Sequence, residues 1–174
     1  DWSSDVCSSD LGGAGPRRGV AVDDRQRLGD ESARGQADRL MELAESAFDD
    51  KDCATAAAAL AEAVDLYAHA GDRDGHAQAL WRLGGARFCL RDYDECARTY
   101  ARAAHAALEA EDVRLRASAL WGRADALAQV DDWDEVLDSV DDALELMRQY
   151  GVRDNFARAL LRQGRALPHR HLLG

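Results

Sequence analysis

Residues 79–104 read ALWRLGGARFCLRDYDECARTYARAA, and residues 119–144 read ALWGRADALAQVDDWDEVLDSVDDAL. The second stretch restates the first forty residues later. Ala79-Leu80-Trp81 returns as Ala119-Leu120-Trp121, and again as Ala159-Leu160-Leu161. Tyr93-Asp94-Glu95-Cys96 aligns with Trp133-Asp134-Glu135-Val136. Small residues keep the same step: Gly84 with Ala124 and Gly164, Ala63 with Ala103 and Ala143, Ala86 with Ala126 and Ala166. Upstream, Gly35-Gln36-Ala37 matches Gly75-His76-Ala77. A fixed period of this size marks stacked supersecondary units rather than one globular core.

Each unit divides into two helical segments. Leu40, Leu43, Ala44 and Ala47 follow the i, i+3, i+4, i+7 spacing of one helix face. Asp49-Asp50-Lys51-Asp52 interrupts the pattern, and Ala56, Leu60, Ala63, Val64 and Tyr67 make a second face. Gly71-Asp72 ends it, with glycine suited to the position just past a helix. The second unit turns at Arg91-Asp92 and continues with Cys96, Tyr100, Ala103 and Ala104. The third turns at Asp131-Asp132 and continues with Val136, Val140, Ala143, Leu144 and Met147. A fourth unit begins near Asp154 and stops at Pro168 without a second helix.

These residues resemble the tetratricopeptide repeat family. The second unit carries the likeness best, through Leu83-Gly84, Tyr93-Asp94-Glu95-Cys96, Tyr100 and Ala103. Small side chains at Gly84, Cys96 and Ala103 let paired helices approach to about 8–10 Å. Tyr93 and Trp133 open each second helix, where a ring plugs the turn. The resemblance spans residues 36–167 and implies an all-α, right-handed α-solenoid of antiparallel helix pairs. The family period is usually ~34 residues, so helices or turns are longer here. The first unit has Cys53 where the aromatic belongs, and no proline follows the second helices. HEAT-type helix pairs share a period near 40 residues, but the Gly and Tyr-Asp-Glu pattern favours the tetratricopeptide reading.

In that family the first helix of each pair lines the concave surface. By register the resemblance implies a ladder of Met41, Trp81, Trp121 and Leu161. One turn on come Glu45, Gly85, Asp125 and Arg165, then Phe48, Phe88 and Ala128. Two tryptophans one unit apart suit an apolar floor for a peptide, because Trp is a favoured interface anchor. The bland alternative has both packed between adjacent units, although Leu80 and Leu120 beside them are better placed for the core. Arg82, Arg123, Arg158, Arg162 and Arg165 stand on the groove wall against Glu42, Glu45 and Asp125. They would either clamp an anionic ligand or pair within the chain. Clamps for chaperone tails use Lys and Asn, and this chain has one of each, so that specificity does not carry over.

No reaction chemistry is legible. No Cys-x-x-Cys, Gly-x-Gly-x-x-Gly, Walker-type loop, Gly-x-Ser-x-Gly or His-Glu-x-x-His occurs. Cys53, Cys89 and Cys96 read as buried, inert thiols, and their odd number suits a reducing cytoplasm over a disulfide framework. His69, His76, His105, His169 and His171 include no set with metal spacing, and His169-Arg170-His171 reads as a frayed tail. No metal, cofactor or enzymatic activity is expected. Residues 131–145 hold eight acids and no base. The first four complement a helix N-terminus, and the rest form an acidic outer face, solvated or facing a basic partner.

The composition agrees. The chain has 174 residues, 47% hydrophobic and 32% charged, with two prolines. Its 34 alanines and 21 arginines favour helix. A net charge of −11 argues against nucleic acid as a partner, and no apolar run reaches the ~18–20 residues of a membrane span. Residues 1–11, DWSSDVCSSDL, resemble a translated sequencing-library adapter and are set aside as a scar. Without Asp1, Asp5 and Asp10 the charge of −11 becomes −8. Residues 12–35 read as a flexible lead-in, helical toward its end. The units run at about 36–72, 76–112 and 116–151, with a half unit at 154–167 and a tail at 168–174. The expected function is noncovalent binding of a protein or peptide in the concave groove of a cytoplasmic scaffold. One alternative is a ligand-sensing regulatory fragment of a larger bacterial signalling ATPase or transcription regulator. Another is a structural module self-associating through the unpaired last helix, with Leu160, Leu161 and Leu167 at its apolar end.

Overall fold

A computed structural model describes the backbone of residues 18–150 and the side chains of residues 29–150. It contains six helices: α1 (Arg18–Asp49), α2 (Cys53–His69), α3 (Arg73–Cys89), α4 (Tyr93–Glu109), α5 (Val113–Leu127) and α6 (Trp133–Tyr150). Each packs on the next, and α3 also touches α5. The expected all-α solenoid of antiparallel helix pairs is the architecture observed, with no strand among the described residues. Three helix starts differ from the expected bounds. The stretch expected as a lead-in, 12–35, is helical from Arg18 onward. The second and third helix pairs begin at Arg73 and Val113, three residues before the expected starts at 76 and 116. The half unit at 154–167, the adapter-like residues 1–11 and the tail lie outside the described residues.

The turns explain the regularity. Lys51, Gly71, Arg91, Glu111 and Asp131 all have positive φ, between 59° and 67°, and recur every 20 residues. Each is followed by an aspartate: Asp52, Asp72, Asp92, Asp112 and Asp132. At the first turn the Asp52 N–H reaches the Ala47 carbonyl (2.8 Å) and the Lys51 N–H reaches Phe48 (3.0 Å). That pair of bonds closes the open end of a helix. The same pair recurs at Gly71, Arg91 and Glu111. The aspartate then starts the next helix. Asp52, Asp72 and Asp112 accept the N–H of Thr55 (3.0 Å), Gly75 (2.9 Å) and Leu115 (2.9 Å). Bonding to the Thr55 hydroxyl and N–H holds the Asp52 carboxyl below its usual value.

Four of the five left-handed positions carry a side chain, which costs ~1 kcal/mol each where glycine would not. Arg91→Gly is therefore expected to raise stability by about 0.5–1 kcal/mol in urea unfolding. Arg91→Val should lower it, because a β-branched residue fits this region worst.

Alanine builds much of the core: Ala37, Ala44, Ala56, Ala63, Ala77, Ala79, Ala86, Ala103, Ala107, Ala119, Ala124, Ala126 and Ala143 are fully buried. Such small contacts let helices approach closely, and Leu60, Leu80, Val136, Leu137 and Val140 fill the space between. Cys96 and Ala103 occupy the small-residue positions expected of them, and the Cys96 thiol donates to the Gly84 carbonyl at 3.2 Å. Burial pushes that thiol up to about 12. Buried Thr99 and Ser139 return their hydroxyls to the carbonyls of Glu95 and Glu135, both at 2.7 Å.

Two expectations are corrected. Leu43, assigned to a core face, is 48% exposed. Its equivalent Leu83 is buried, but α1 has no preceding helix pair among the described residues to cover that side. Cys53 and Cys89 are not thiols: they form a disulfide with Cα atoms 6.2 Å apart. Because α2 and α3 run antiparallel, the first residue of α2 and the last of α3 meet at one edge of the array. Cys96 alone is the buried thiol expected, and the odd-thiol argument for a reducing compartment falls.

Candidate functional site

The ladder implied by the family resemblance lies on the odd helices α1, α3 and α5. Trp81 is 37% exposed, while its neighbour Leu80 is 1% exposed. Met41 and Trp121 occupy the same register on α1 and α5, half-buried against the core. Phe48 and Phe88 are likewise half-buried. The Phe88 ring meets Tyr93 edge-on, with centroids 5.4 Å apart, so Tyr93 does plug its turn. Between these rows Gly85 and Asp125 are half-buried and Glu45 is exposed. The outward stripe of each odd helix thus carries two partly covered apolar positions and one polar or small one. Leu161 and Arg165, also assigned to the ladder, lie outside the described residues.

The groove arginines are engaged within the chain. Arg82 on α3 pairs with Glu45 on α1 at 2.6 Å, bridging two odd helices. Arg123 pairs with Glu135 of α6. Arg87 pairs with Glu95 at 2.8 Å and also contacts Thr99. A hydrogen bond from Arg98 (2.7 Å), reinforced by the Arg87 charge, holds the Glu95 carboxyl below its usual range. Arg158, Arg162 and Arg165 lie outside the described residues. Of the acidic stretch, Glu145 accepts from Arg148 (2.6 Å) and Gln149 (2.7 Å), while Asp138 and Asp142 are exposed on α6.

Two features escaped the sequence reading. The Tyr67 hydroxyl donates to Asp38 at 2.6 Å, tying α2 to α1. Burial, then this carboxylate, raises the Tyr67 hydroxyl above its ordinary range. The ring of Tyr100 lies between two glycines: a Cβ at Gly84 would come within 2.7 Å of it, and one at Gly122 within 2.6 Å. Gly122 stands where the other units have Glu42, Arg82 and Arg162, and that departure was the available signal.

Among the described residues, no group of three His, Cys, Asp or Glu side chains is arranged to hold a metal ion. No described helix is long and apolar enough to cross a membrane. No family model matches the chain, and no curated protein matches it. Among solved structures, the apo form of RapI, a tetratricopeptide-like helical-repeat protein, superposes with a TM-score of 0.72 at 8% identity. The match covers 89% of this chain and 59% of RapI, so the chain spans about three-fifths of that protein's length. Together with the helix pairs and the turns that recur every twenty residues, that likeness shows the fold: the chain is a tetratricopeptide-like helical-repeat array.

Proposed function

We propose that the array is a noncovalent scaffold that binds a peptide or partner protein across the outward stripes of α1, α3 and α5. The observation that carries the reading is Trp81, a large apolar side chain left 37% exposed at the centre of three adjacent helices. Met41 and Trp121 flank it in register, and Phe48 and Phe88 lie two turns on. Aromatic anchors of this kind supply most of the affinity at interfaces. With Arg82 and Arg123 already paired to Glu45 and Glu135, apolar contact rather than ion clamping sets the preference, and Asp125 orients the ligand. Leu161 and Arg165 extend the same ladder by register. RapI supports the fold on which the reading rests. Its greater length favours a second reading, in which this array senses a ligand for a longer regulatory protein.

A random peptide library displayed on phage and selected against the full chain tests the proposal. Selected peptides should bind Trp81→Ala at least about tenfold more weakly, measured by fluorescence anisotropy. The variant should keep its helical circular dichroism and melt within about 1 kcal/mol of the parent, as half-exposed positions do. A library that yields no binder, or binders indifferent to Trp81→Ala, overturns the reading.

A further inference from the structure

Two cavities recur one unit apart, at the edge where even helices end and odd helices begin. The first, of about 220 Å³, includes Tyr67, Gly71, Arg73 and His76. The second, of about 300 Å³, has Ala107, Glu111, Val113 and Arg116 at those same registers. Neither is lined by a ladder residue. In the first cavity Tyr67, Asp72 and His76 are committed to the fold. The Tyr67 hydroxyl is held by Asp38, the Asp72 carboxylate by Arg34 (2.9 Å) and the Gly75 N–H, and the His76 ring by the Val64 carbonyl (3.1 Å).

At the second cavity Ala107 and Arg116 stand in place of the tyrosine and the histidine, so those two bonds are gone, while Asp112 keeps the bond to the Leu115 N–H. Ala107 and Leu146 form a buried apolar floor, at 0% and 9% exposure. Leu108 and Tyr150 stand on the rim, at 51% and 61% exposure. Glu111 and Arg116 line the same cavity, and neither side chain has a partner among the described residues. The volume lies at the lower end of the range for small-molecule sites. One carboxylate and one guanidinium over an apolar floor complement a small zwitterion with an apolar side chain. The arginine fork matches a carboxylate bidentately.

We infer that this cavity binds an apolar α-amino acid. Its ammonium meets Glu111, its carboxylate meets Arg116, and its side chain packs among Leu108, Val113, Leu146 and Tyr150. A peptide terminus offers half of the same chemistry, so the test blocks each end in turn. Calorimetric titration of the full chain with L-leucine and L-phenylalanine should saturate with a Kd of about 1 mM or tighter. N-acetyl-leucine and leucinamide should each bind about tenfold more weakly, for loss of one charge-assisted contact. Arg116→Gln should erase the discrimination against leucinamide, and Glu111→Gln that against N-acetyl-leucine, with helical circular dichroism unchanged. Trp81→Ala should leave all of these titrations unchanged, which separates this site from the ladder. The inference fails if neither amino acid saturates by about 10 mM, or if binding ignores both charge variants. It fails also if a blocked ligand binds as well as the free one, because the site then reads a peptide terminus.

Discussion

Replacing Cys53 with serine is expected to cost about 4 kcal/mol of stability under oxidising conditions. The bridge to Cys89 closes a loop with a sequence separation of 36, and a cross-link of that length removes about that much chain entropy from the unfolded state. Cys89→Ala should give the same loss, because either substitution opens the same loop. Urea unfolding in oxidising and reducing buffer is the check. Reductant should bring the parent protein down to the variants and should not move the variants themselves. A Cys96→Ala variant should retain the full response to reductant, because its thiol bonds only to the Gly84 carbonyl. If the parent unfolds at one urea concentration in both buffers, the bridge contributes nothing and the array holds by packing alone.

Gly84→Ala and Gly122→Ala should each destabilise by about 1–3 kcal/mol, the usual cost of forcing a group into a filled core. Glycine to alanine inside a helix normally gains ~1 kcal/mol, so the expected sign is opposite to the intrinsic preference. Gly85 provides the control. Its Cβ would lie 3.7 Å from the Tyr100 hydroxyl, an ordinary contact, so Gly85→Ala should stabilise. The cause is testable in a double-mutant cycle with Tyr100→Leu, the residue found one unit earlier at Leu60. In that background the added methyl groups meet a smaller side chain, and their cost should shrink toward zero. An unchanged cost would mean that the ring is not what excludes them.

The repeat was legible because register is a property of the linear sequence. Alanine at 63, 103 and 143, and Gly84 before Cys96, place buried positions without reference to anything distant. What stayed hidden depends on which elements become neighbours. Cys53 and Cys89 share no motif, and only the antiparallel run of α2 and α3 joins them. Cysteine in place of an aromatic at position 53 was the local departure that marks the bridge. Leu43 follows the same periodicity as Leu83, yet periodicity does not say whether a helix precedes it. Leu80 and Leu120 take the interior, and of the residues in the ladder register Trp81 is 37% exposed while Met41 and Trp121 are half-buried against the core. The pairing of Arg82 with Glu45 could not be read, since long side chains on a helix surface have several partners within reach.

The even spacing of the left-handed turn residues has a consequence for how such an array changes length. A helix and the connection after it together occupy 20 residues, and each such block reverses the direction of the chain. Two blocks restore both the direction and the identity of the facing helix. Duplicating or excising forty residues, cut at any left-handed position, would leave every remaining helix against a neighbour of the kind it already has. A single block would set an even helix where an odd one belongs. Growth of this molecule by recombination is thus quantised in helix pairs, and its junctions are written in the aspartates that begin each helix.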